Sequence, residues 1–414
     1  MSSYLAQRPK GGRFANVLRA GAAASAISGA GAMYLLHRIN AIRHHPPAAL
    51  RRLRGDASNP LFDLYPALAD RIPWRPLASL PTPVEELPGP DGDVRLFVKR
   101  DDLSAPSYGG NKVRKLEHFL ADAELSGSRT LITLGGIGSN HALATATHGQ
   151  ALGLDVDLVL YDQPMTPAVA RNLGGFLAAG ARLHVAHSIP RAFVTCGALF
   201  RRHAGEGKAP YFIMVGGTSR LGCIGHVSAA IELARQVADG LLPEPDRLFV
   251  PLGTCGTAAG LIAGLKIAGL RTRVVAVRVA DAFPANRTTL RYLAQDVGDF
   301  LHRCDPAVPR IWIHPHDFDV VTHHYGEGYG VPTAAGERAI RWAEPRLSLD
   351  TTYSGKALAA CLEQIATISG ETTVLFWNTY NSAPIATPTD WAGLPAELGF
   401  ALESHTLHAR RHDA

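Results

Sequence analysis

The sequence predicts an α/β protein in which helices flank parallel β-sheets. The first observation is that short apolar runs alternate with helical segments of ten or more residues, which is typical of strands joined by right-handed crossovers. The second is that glycine-rich turns follow several of these runs. The third is length, since 414 residues, 46% of them hydrophobic, are enough for more than one core. Ligands of such sheets bind beyond the carboxyl ends of the strands, so the functional residues are expected in those turns.

The predicted elements follow one another from about Pro60. Apolar runs predict strands at 94–100, 129–136, 155–162, 181–186, 211–217, 246–253, 273–280 and 372–379. Helices are predicted to begin near Asn111, Asn140, Pro167, Ile224, Thr257 and Gly355. The first helix has the spacing of one buried face, with apolar residues at Val113, Leu116, Phe119 and Leu120. Strands and helices therefore alternate along the chain, as parallel sheets require.

The basic character of the chain belongs to its N-terminal end. Nine of the 41 basic residues precede the first acidic residue, Asp56, which leaves 32 basic against 36 acidic residues in the remainder. The net charge of +5 therefore does not predict a nucleic-acid-binding body, and no basic and aromatic interleaving supports one. The five cysteines lie far apart without a CxxC pair, which indicates a reducing compartment rather than disulfides or zinc.

Residues 1–59 are predicted to form a basic N-terminal extension. Its apolar run, residues 20–36, has 17 residues, whereas a helix that spans a membrane needs about 20. Three interpretations stay open: an organelle-targeting peptide, a marginal membrane anchor, and a helical extension of a cytoplasmic protein. The cytoplasm is the expected location. The stretch from His44 to Pro60 is predicted to be a linker in which Pro46 and Pro47 stop any helix.

The first candidate turn, residues 253–257, joins a strand to a helix of small residues and reads Gly-Thr-Cys-Gly-Thr. Glycines let the backbone approach an anion closely, and the free N–H groups and dipole of the helix then bind it. The pattern suggests a phosphate site, but its spacing matches neither a P-loop nor GxGxxG and argues against a nucleotide phosphate. The alternative is a tight turn that needs glycine for steric reasons.

In the second turn, Ser139 and Asn140 stand where a glycine loop becomes a helix. Both residue types are good N-caps, so capping alone would explain them. The functional alternative is a carboxylate site, in which helix-start N–H groups and the two side chains hold a small acid. His141, the next residue, either titrates near neutral pH or simply packs.

In the third turn, Lys112 follows Gly109, Gly110 and Asn111 at the start of a helix. By itself it would be an ordinary surface lysine. Beside a phosphate site and a small-acid site, however, a lysine can form an imine with an aldehyde cofactor, and desolvation lowers its pKa as this chemistry requires. The three turns together predict pyridoxal phosphate acting on an amino acid.

The order of these motifs resembles the branch of fold-type-II pyridoxal-phosphate enzymes that contains D-cysteine desulfhydrase and 1-aminocyclopropane-1-carboxylate deaminase. The resemblance extends from about Pro81 to Ala383 and depends on PTPVEEL, VKRDDLSAPSYGGNKVRKLE, GGIGSNHALATA, YFIMVGGTSRLGCIGHV, PLGTCGTAAG, YGEGYGVPT, LDTTYSGKA and VLFWNT. It implies a two-domain fold of the tryptophan synthase β type, with a larger cofactor-binding domain at 60–110 and 218–400 and a smaller α/β domain at 111–217. It also implies pyridoxal 5'-phosphate as cofactor, a small amino-acid substrate, no nucleic-acid partner and a homodimer.

The resemblance also implies a role for each matching residue. Lys112 is expected to bind the cofactor as a Schiff base and to take the α-proton of the substrate, and Asn111 is expected to contact the ring oxygen. The expected phosphate loop is Gly253, Thr254, Cys255, Gly256 and Thr257, and the expected substrate-carboxylate turn is Ser139, Asn140 and His141. Tyr353 and Tyr329 are the expected active-site tyrosines, either of which is a candidate acid for the leaving group, and Thr379 is expected to face the pyridine nitrogen.

Departures from the family pattern bear on the activity. The deaminase typically has a glutamate where this chain has Ser354, and that charge makes the ring the strong electron sink that opening a cyclopropane needs. A neutral Ser354 or Thr379 beside the nitrogen suits β-elimination, and His141 also matches the desulfhydrase. Leu143-Ala144 and Tyr380-Asn381 replace family residues at positions that could reshape the substrate pocket.

The sequence therefore predicts a lyase that eliminates the β-substituent of a small amino acid, with D-cysteine giving pyruvate, sulfide and ammonia. The alternatives are 1-aminocyclopropane-1-carboxylate deaminase, a β-replacement enzyme, and a catalytically impaired protein that binds pyridoxal phosphate. Membrane association through the N-terminal segment also stays open.

Overall fold

Ten strands and eleven α-helices are defined in the computed structural model, within the part of the chain that it describes: residues 42–89, 94–207, 209–368, 370–388 and 390–399. The strands are β1 (Val84–Leu87), β2 (Val94–Lys99), β3 (Thr130–Gly136), β4 (Asp155–Tyr161), β5 (Arg182–Val185), β6 (Tyr211–Ile213), β7 (Arg247–Leu252), β8 (Arg273–Arg278), β9 (Phe318–Val321) and β10 (Thr372–Trp377). The helices are α1 (Pro47–Arg54), α2 (Pro60–Leu64), α3 (Asn111–Leu125), α4 (Asn140–Ala151), α5 (Pro167–Ala178), α6 (Ile189–Gly205), α7 (Arg220–Ala238), α8 (Gly256–Ile267), α9 (Arg287–Cys304), α10 (Ala334–Ala343) and α11 (Ser354–Ile365).

The strands form two sheets, as the alternating pattern predicts. The larger sheet has the order β1-β2-β10-β7-β8-β9, and the smaller has the order β5-β4-β3-β6. Every pair among the described strands is parallel except β1 with β2, which is antiparallel. The prediction of parallel sheets therefore needs a correction at this edge. The sequence pattern does not indicate β1, because this strand has only four residues, two of them exposed glutamates, and so lacks an apolar run.

The helix α1 overturns the prediction that Pro46 and Pro47 stop any helix in a linker. The helix begins at Pro47, with Pro46 as its N-cap residue. Proline suits the first helical position, because its fixed φ is helical and the N–H that it lacks would have no partner there. Leu50 of this helix is buried. The same segment contacts the α/β body where His45 Nε2 lies 2.6 Å from Asp122 Oδ1.

The strand β6 ends earlier than predicted. A 3-10 turn at Val215–Gly217 follows it, in which Gly216 and Gly217 have φ values of 64° and 62°. Residues with a side chain rarely adopt this left-handed backbone conformation, so glycine is needed at both positions. The turn directs the carbonyl oxygen of Gly216 toward the lysines of α3, as described below.

The carboxyl ends of β3, β7 and β10 lead into the turns that the sequence singles out. β3 is buried along its whole length in the smaller sheet, and β7 and β10 lie side by side in the middle of the larger one. The helices α4 and α8 start from the turns after β3 and β7, and the residues after β10 lie against the Gly109–Lys112 turn that starts α3. The predicted boundaries between the two domains stay a prediction, as does the homodimer.

The apolar run 20–36 and the rest of residues 1–41 lie outside the described residues. Among the described helices, none combines the length and the apolar character that crossing a membrane requires. The predicted location and the membrane alternative therefore stay predictions.

Candidate active site

Lys112 lies at the first turn of α3, directly after the glycine pair. Gly110 is the N-cap residue and has a φ of 92°, and a Cβ there would approach the carbonyl oxygens of Tyr380 and Thr379 to 2.7 and 2.9 Å. Lys112 Nζ lies 3.5 Å from the carbonyl oxygen of Gly216. Burial and the neighbouring Lys115 lower the pKa of the Lys112 amine well below its ordinary value. A neutral, nucleophilic form of this amine is therefore accessible near neutral pH.

Lys115 is a second lysine of this candidate site, and it was not selected from the sequence. It follows Lys112 by three positions, so the two side chains share one face of α3. Its Nζ donates to the same Gly216 carbonyl at 3.0 Å. A Cβ added at Gly256 would also lie 3.0 Å from this nitrogen. Burial lowers the pKa of Lys115 to about 8. The three-residue spacing between Lys112 and Lys115 could have indicated Lys115 from the sequence.

The predicted phosphate loop forms the turn between β7 and α8. Cys255 is the N-cap residue of α8 and has a φ of 68°, and its side chain accepts no hydrogen bond from the first N–H groups of the helix. Asn111 Nδ2 donates to Thr257 Oγ1 at 2.8 Å, so the loop meets the start of α3. Thr218 Oγ1 donates to Thr254 Oγ1 at 2.5 Å.

The loop has the donors that the phosphate of pyridoxal phosphate needs. The loop offers helix-start N–H groups and the hydroxyls of Thr254 and Thr257, and a Cβ on Gly256 would fill the space between Lys115 Nζ and Thr218 Oγ1. A phosphate binds at such a helix start through N–H groups and the helix dipole. Because the amine of Lys112 shares the Gly216 carbonyl with Lys115, the residues for an aldehyde and for a phosphate occur together, and the site fits the cofactor.

Ser139 and His141 are placed at the start of α4. Ser139 is the N-cap residue, and its Oγ accepts from the N–H of Ala142 at 3.2 Å, so the capping interpretation holds for this side chain. His141 is 2% exposed, and its Nε2 lies 3.2 Å from Thr133 Oγ1. Its Nδ1 has no hydrogen-bond partner among the described residues. Burial, Lys112 and Lys115 hold the pKa of His141 well below its ordinary value, so this imidazole is neutral.

Asn140 belongs to a hydrogen-bonded chain that begins at Asp350, a residue that the sequence analysis did not select. Asn140 Nδ2 donates to Asp350 Oδ2 at 2.7 Å. Asn172 Nδ2 donates to Asn140 Oδ1 at 2.9 Å and to the carbonyl oxygen of Gly138 at 2.8 Å. The carboxylate and the carbonyl at the two ends only accept, so both amides between them have one favourable orientation. Asp350 thus determines which way the amide of Asn140 points.

The buried carboxyl group of Asp350 is held in the turn that precedes α11. Its Oδ1 accepts from the N–H groups of Tyr353 and Ser354 at 2.6 and 2.9 Å. Burial raises the pKa of Asp350, and these donors and Asn140 act in the opposite direction. Ser354 is fully buried, and its hydroxyl accepts from the Asp350 N–H at 2.7 Å. That hydroxyl is therefore engaged in the turn, and its predicted cofactor role would need an exchange of partners.

Tyr329 and Tyr353 form a pair whose hydroxyl oxygens lie 2.5 Å apart. Tyr353 Cε1 lies 3.5 Å from the position of a Cβ on Gly253, and Tyr329 Cε1 lies 3.4 Å from that of a Cβ on Gly136. The pair therefore reaches from the phosphate loop to the end of β3. Burial raises the pKa of both tyrosines, and the hydrogen bond between them lowers the pKa of Tyr353 while it raises that of Tyr329.

The remaining selected positions lie after β10 and in α4. The carbonyl oxygen of Thr379 accepts from the N–H of Asn111 at 3.3 Å, which places the residue beside the glycine pair. Asn381 Oδ1 accepts from the N–H of Gly109 at 2.7 Å and so fixes the same turn. Leu143 packs toward Gly175 of α5 and is 1% exposed, so its side chain belongs to the core.

The chain is similar in sequence to known proteins. The family described as "Pyridoxal-phosphate dependent enzyme" matches residues 76–379. The D-cysteine desulfhydrase of Salmonella choleraesuis (strain SC-B67) is 32% identical over 311 residues, which cover 72% of this chain and 89% of that protein. The D-cysteine desulfhydrase of Salmonella schwarzengrund (strain CVM19633) is also 32% identical over the same shares.

Solved structures show the same similarity. A structure described as an ACC deaminase homologue superposes with a TM-score of 0.65 at 27% identity, over 83% of this chain and 98% of that one. O-ureido-L-serine synthase superposes with a TM-score of 0.52 at 18% identity, over 78% of this chain and 96% of that one, which is a likeness of fold alone.

Proposed function

Because this chain belongs to the family of pyridoxal-phosphate-dependent enzymes, within its D-cysteine desulfhydrase and ACC deaminase group, we propose that it eliminates the β-substituent of a small amino acid. The cofactor is pyridoxal phosphate, and the predicted family, fold type and enzyme class are confirmed at this level. D-cysteine is the proposed substrate, which reacts with water to give pyruvate, hydrogen sulfide and ammonia. The observation that carries the proposal is the Lys112 amine, whose pKa is lowered, beside the Gly216 carbonyl that it shares with Lys115 at the Gly253–Thr257 loop.

When bound, pyridoxal phosphate supplies an electron sink for the charge that develops at the substrate Cα. Lys112 is the residue that would hold its aldehyde carbon, and Lys115 and the loop would hold its phosphate. The lowered pKa of the Lys112 amine suits it to accept the α-proton of the substrate, which is general base catalysis worth about 10²–10⁴ in rate. Lys112 is half-buried beside a second cation, and both effects favour the neutral form that accepts the proton.

The start of α4 is proposed to bind the substrate carboxylate. The helix-start N–H groups and the amide of Asn140 supply hydrogen-bond donors. His141 is neutral, so it places no charge beside the substrate carboxylate. Asp350 serves as a positioning residue, because it holds the Asn140 amide in one orientation. Tyr353 is proposed to protonate the leaving sulfur, since its partner Tyr329 lowers its pKa relative to an isolated buried phenol.

Replacing Tyr353 by phenylalanine should lower kcat with D-cysteine by about 10²-fold, because the departing sulfur then lacks its proton donor. With β-chloro-D-alanine, whose chloride leaves without a proton, the loss should be much smaller. Steady-state 2-oxo acid release from both substrates measures this. An equal loss on both substrates would contradict the role of an acid.

The Asp350→Asn variant should raise KM for the amino acid by about tenfold. An amide at this position must turn its NH₂ either toward Asn140 Nδ2 or toward the Tyr353 and Ser354 N–H groups, and either choice places donors against donors. Steady-state kinetics and the thermal unfolding midpoint should be measured on the same preparation.

The double variant Asn140→Asp with Asp350→Asn separates positioning from stability. Its hydrogen-bond pattern is again complementary, so the unfolding midpoint should recover. KM should stay high, because a carboxylate at position 140 repels the carboxylate of the substrate. An unchanged KM in the single variant would show that Asp350 does not position the carboxylate site.

The function itself is tested by incubating the holoenzyme with D- and L-amino acids and with 1-aminocyclopropane-1-carboxylate, and by measuring 2-oxo acid release. Pyruvate and sulfide from D-cysteine are expected. Production of 2-oxobutanoate from the cyclopropane would favour the deaminase instead. Product formation only when a second nucleophile is added would indicate β-replacement, and no product with an intact cofactor absorbance would indicate a binding protein.

A further inference from the structure

Three potential metal ligands meet at the far end of α11 from Tyr353. His323 and His324 come shortly after β9, and Glu363 lies in the last turn of α11. His323 Nε2 lies 3.1 Å from Glu363 Oε1, and His324 Nε2 lies 3.0 Å from Glu363 Oε2. One ligand atom of each residue lies within 4.8 Å of the other two. The arrangement uses none of the residues assigned to the cofactor or the substrate.

His324 is buried, and its Nε2 lies close to the carboxylate of Glu363. Its side chain is 4% exposed, and its Nε2 makes no hydrogen bond to any described residue although a carboxylate oxygen is 3.0 Å away. A buried polar atom without a partner costs about 1–3 kcal/mol, so such atoms are uncommon. Imidazole nitrogen is a ligand that divalent transition metals commonly take in proteins.

We propose that His323, His324 and Glu363 bind one divalent transition-metal ion, with Zn²⁺ as the best match. Two imidazole nitrogens and a carboxylate favour Zn²⁺ over Mg²⁺ or Ca²⁺, which prefer oxygen ligands. A tetrahedral zinc ion with bonds of about 2.0–2.2 Å has its ligands roughly 3.3 Å apart. The two histidine–glutamate separations, 3.1 and 3.0 Å, are within a few tenths of an ångström of that value, and one ligand atom from each of the three residues lies within 4.8 Å of the others. A water molecule would complete the coordination.

The ion would fasten two segments that continue into the tyrosine pair. Lys356 of α11 already donates to the carbonyl oxygen of Tyr325 at 2.7 Å, which ties the helix to the segment between His324 and Tyr329. At its other end α11 begins directly after Tyr353, its N-cap residue. Metal binding is therefore a structural clamp on these segments, and it does not depend on the proposed reaction.

Equilibrium dialysis of the holoenzyme, first treated with a chelator, against ZnCl₂ tests the proposal, with MgCl₂ as the comparison ion. We expect one equivalent of Zn²⁺ and no comparable binding of Mg²⁺. Glu363→Gln and His324→Ala should each weaken Zn²⁺ binding at least tenfold and abolish the increase in the thermal unfolding midpoint that Zn²⁺ produces. Glu363→Gln guards against misfolding, because it keeps the size of a side chain that is 57% exposed.

His316→Ala is the matched control, since His316 stacks on His314 at a ring separation of 5.2 Å and also offers an exposed imidazole pair. It should bind Zn²⁺ as the wild type does. The assignment would be overturned if Glu363→Gln and His324→Ala both bound Zn²⁺ as the wild type does. It would also be overturned if His316→Ala lost Zn²⁺ binding, or if the wild type bound no Zn²⁺. An adventitious surface site would give the first of these results.

Discussion

Replacing Lys112 by alanine is expected to reduce 2-oxo acid release by on the order of 10³-fold or more, because the variant loses both the group that holds the cofactor and the base. The absorbance band of the lysine–cofactor Schiff base should disappear. The thermal unfolding midpoint of the cofactor-free protein should change little, since the Lys112 amine makes only a 3.5 Å contact with the Gly216 carbonyl.

Lys115→Met is the matched control for Lys112→Ala. Both lysine nitrogens approach the same carbonyl oxygen, so the structure offers two amines to one aldehyde. Because Lys115 Nζ lies at the Gly256 end of the phosphate loop, its loss should weaken cofactor retention by about tenfold through one lost charge-assisted hydrogen bond. The absorbance band should persist at saturating cofactor. The opposite pattern, with the band lost in Lys115→Met and kept in Lys112→Ala, would exchange the two roles.

The sequence predicted the strand-to-helix turns because their signals are local. Glycines at positive φ, N-cap residues and apolar strands all act within a few residues, and Gly110, Ser139 and Cys255 lie at helix starts as expected. Helix α1 was missed because Pro47 was interpreted as a helix breaker, although proline is favourable at a first helical position.

Asp350 could not be predicted in the same way. It is 210 residues from Asn140 along the chain, and only the folding of the chain brings the turn before α11 to the start of α4, where the two side chains lie 2.7 Å apart. The roles of Ser139, His141, Thr379 and Ser354 stay predictions, since the hydroxyls of Ser139 and Ser354 have structural partners that would also explain them.

A buried ion network anchors the helix that carries Lys112. Arg114 is 1% exposed and donates to Asp101 and to Glu232 of α7 at 2.8 to 3.1 Å. Lys99 of β2 donates to the same glutamate at 2.6 Å, and the indole N–H of Trp377 donates to Asp101 at 2.8 Å. The network therefore joins α3 to α7 and to two strands of the larger sheet. Burial would raise the pKa of Glu232, but Arg114 and Lys99 bring it down to about 2.

Arg114→Met should destabilise the protein by about 3–5 kcal/mol, because it leaves two buried carboxylates with Lys99 as the one remaining cation of the network. The midpoint of denaturant unfolding measures this. Arg95→Met is the matched control, since Arg95 pairs with Glu86 at the surface, where both side chains are about half exposed, and it should have little effect.

The pH dependence of the unfolding free energy provides a second, independent test of the Arg114 prediction. The pKa of Glu232 in the folded protein, about 2, lies below its ordinary value of 4.5. The stabilisation from its ionised form is therefore complete above about pH 4.5 and is lost as the pH falls through the folded value. The difference in unfolding free energy between wild type and Arg114→Met should be largest at neutral pH and should shrink below about pH 4.5. A difference that does not change over this range would mean that lost packing of the arginine side chain, rather than its charge, holds α3 and Lys112 in place.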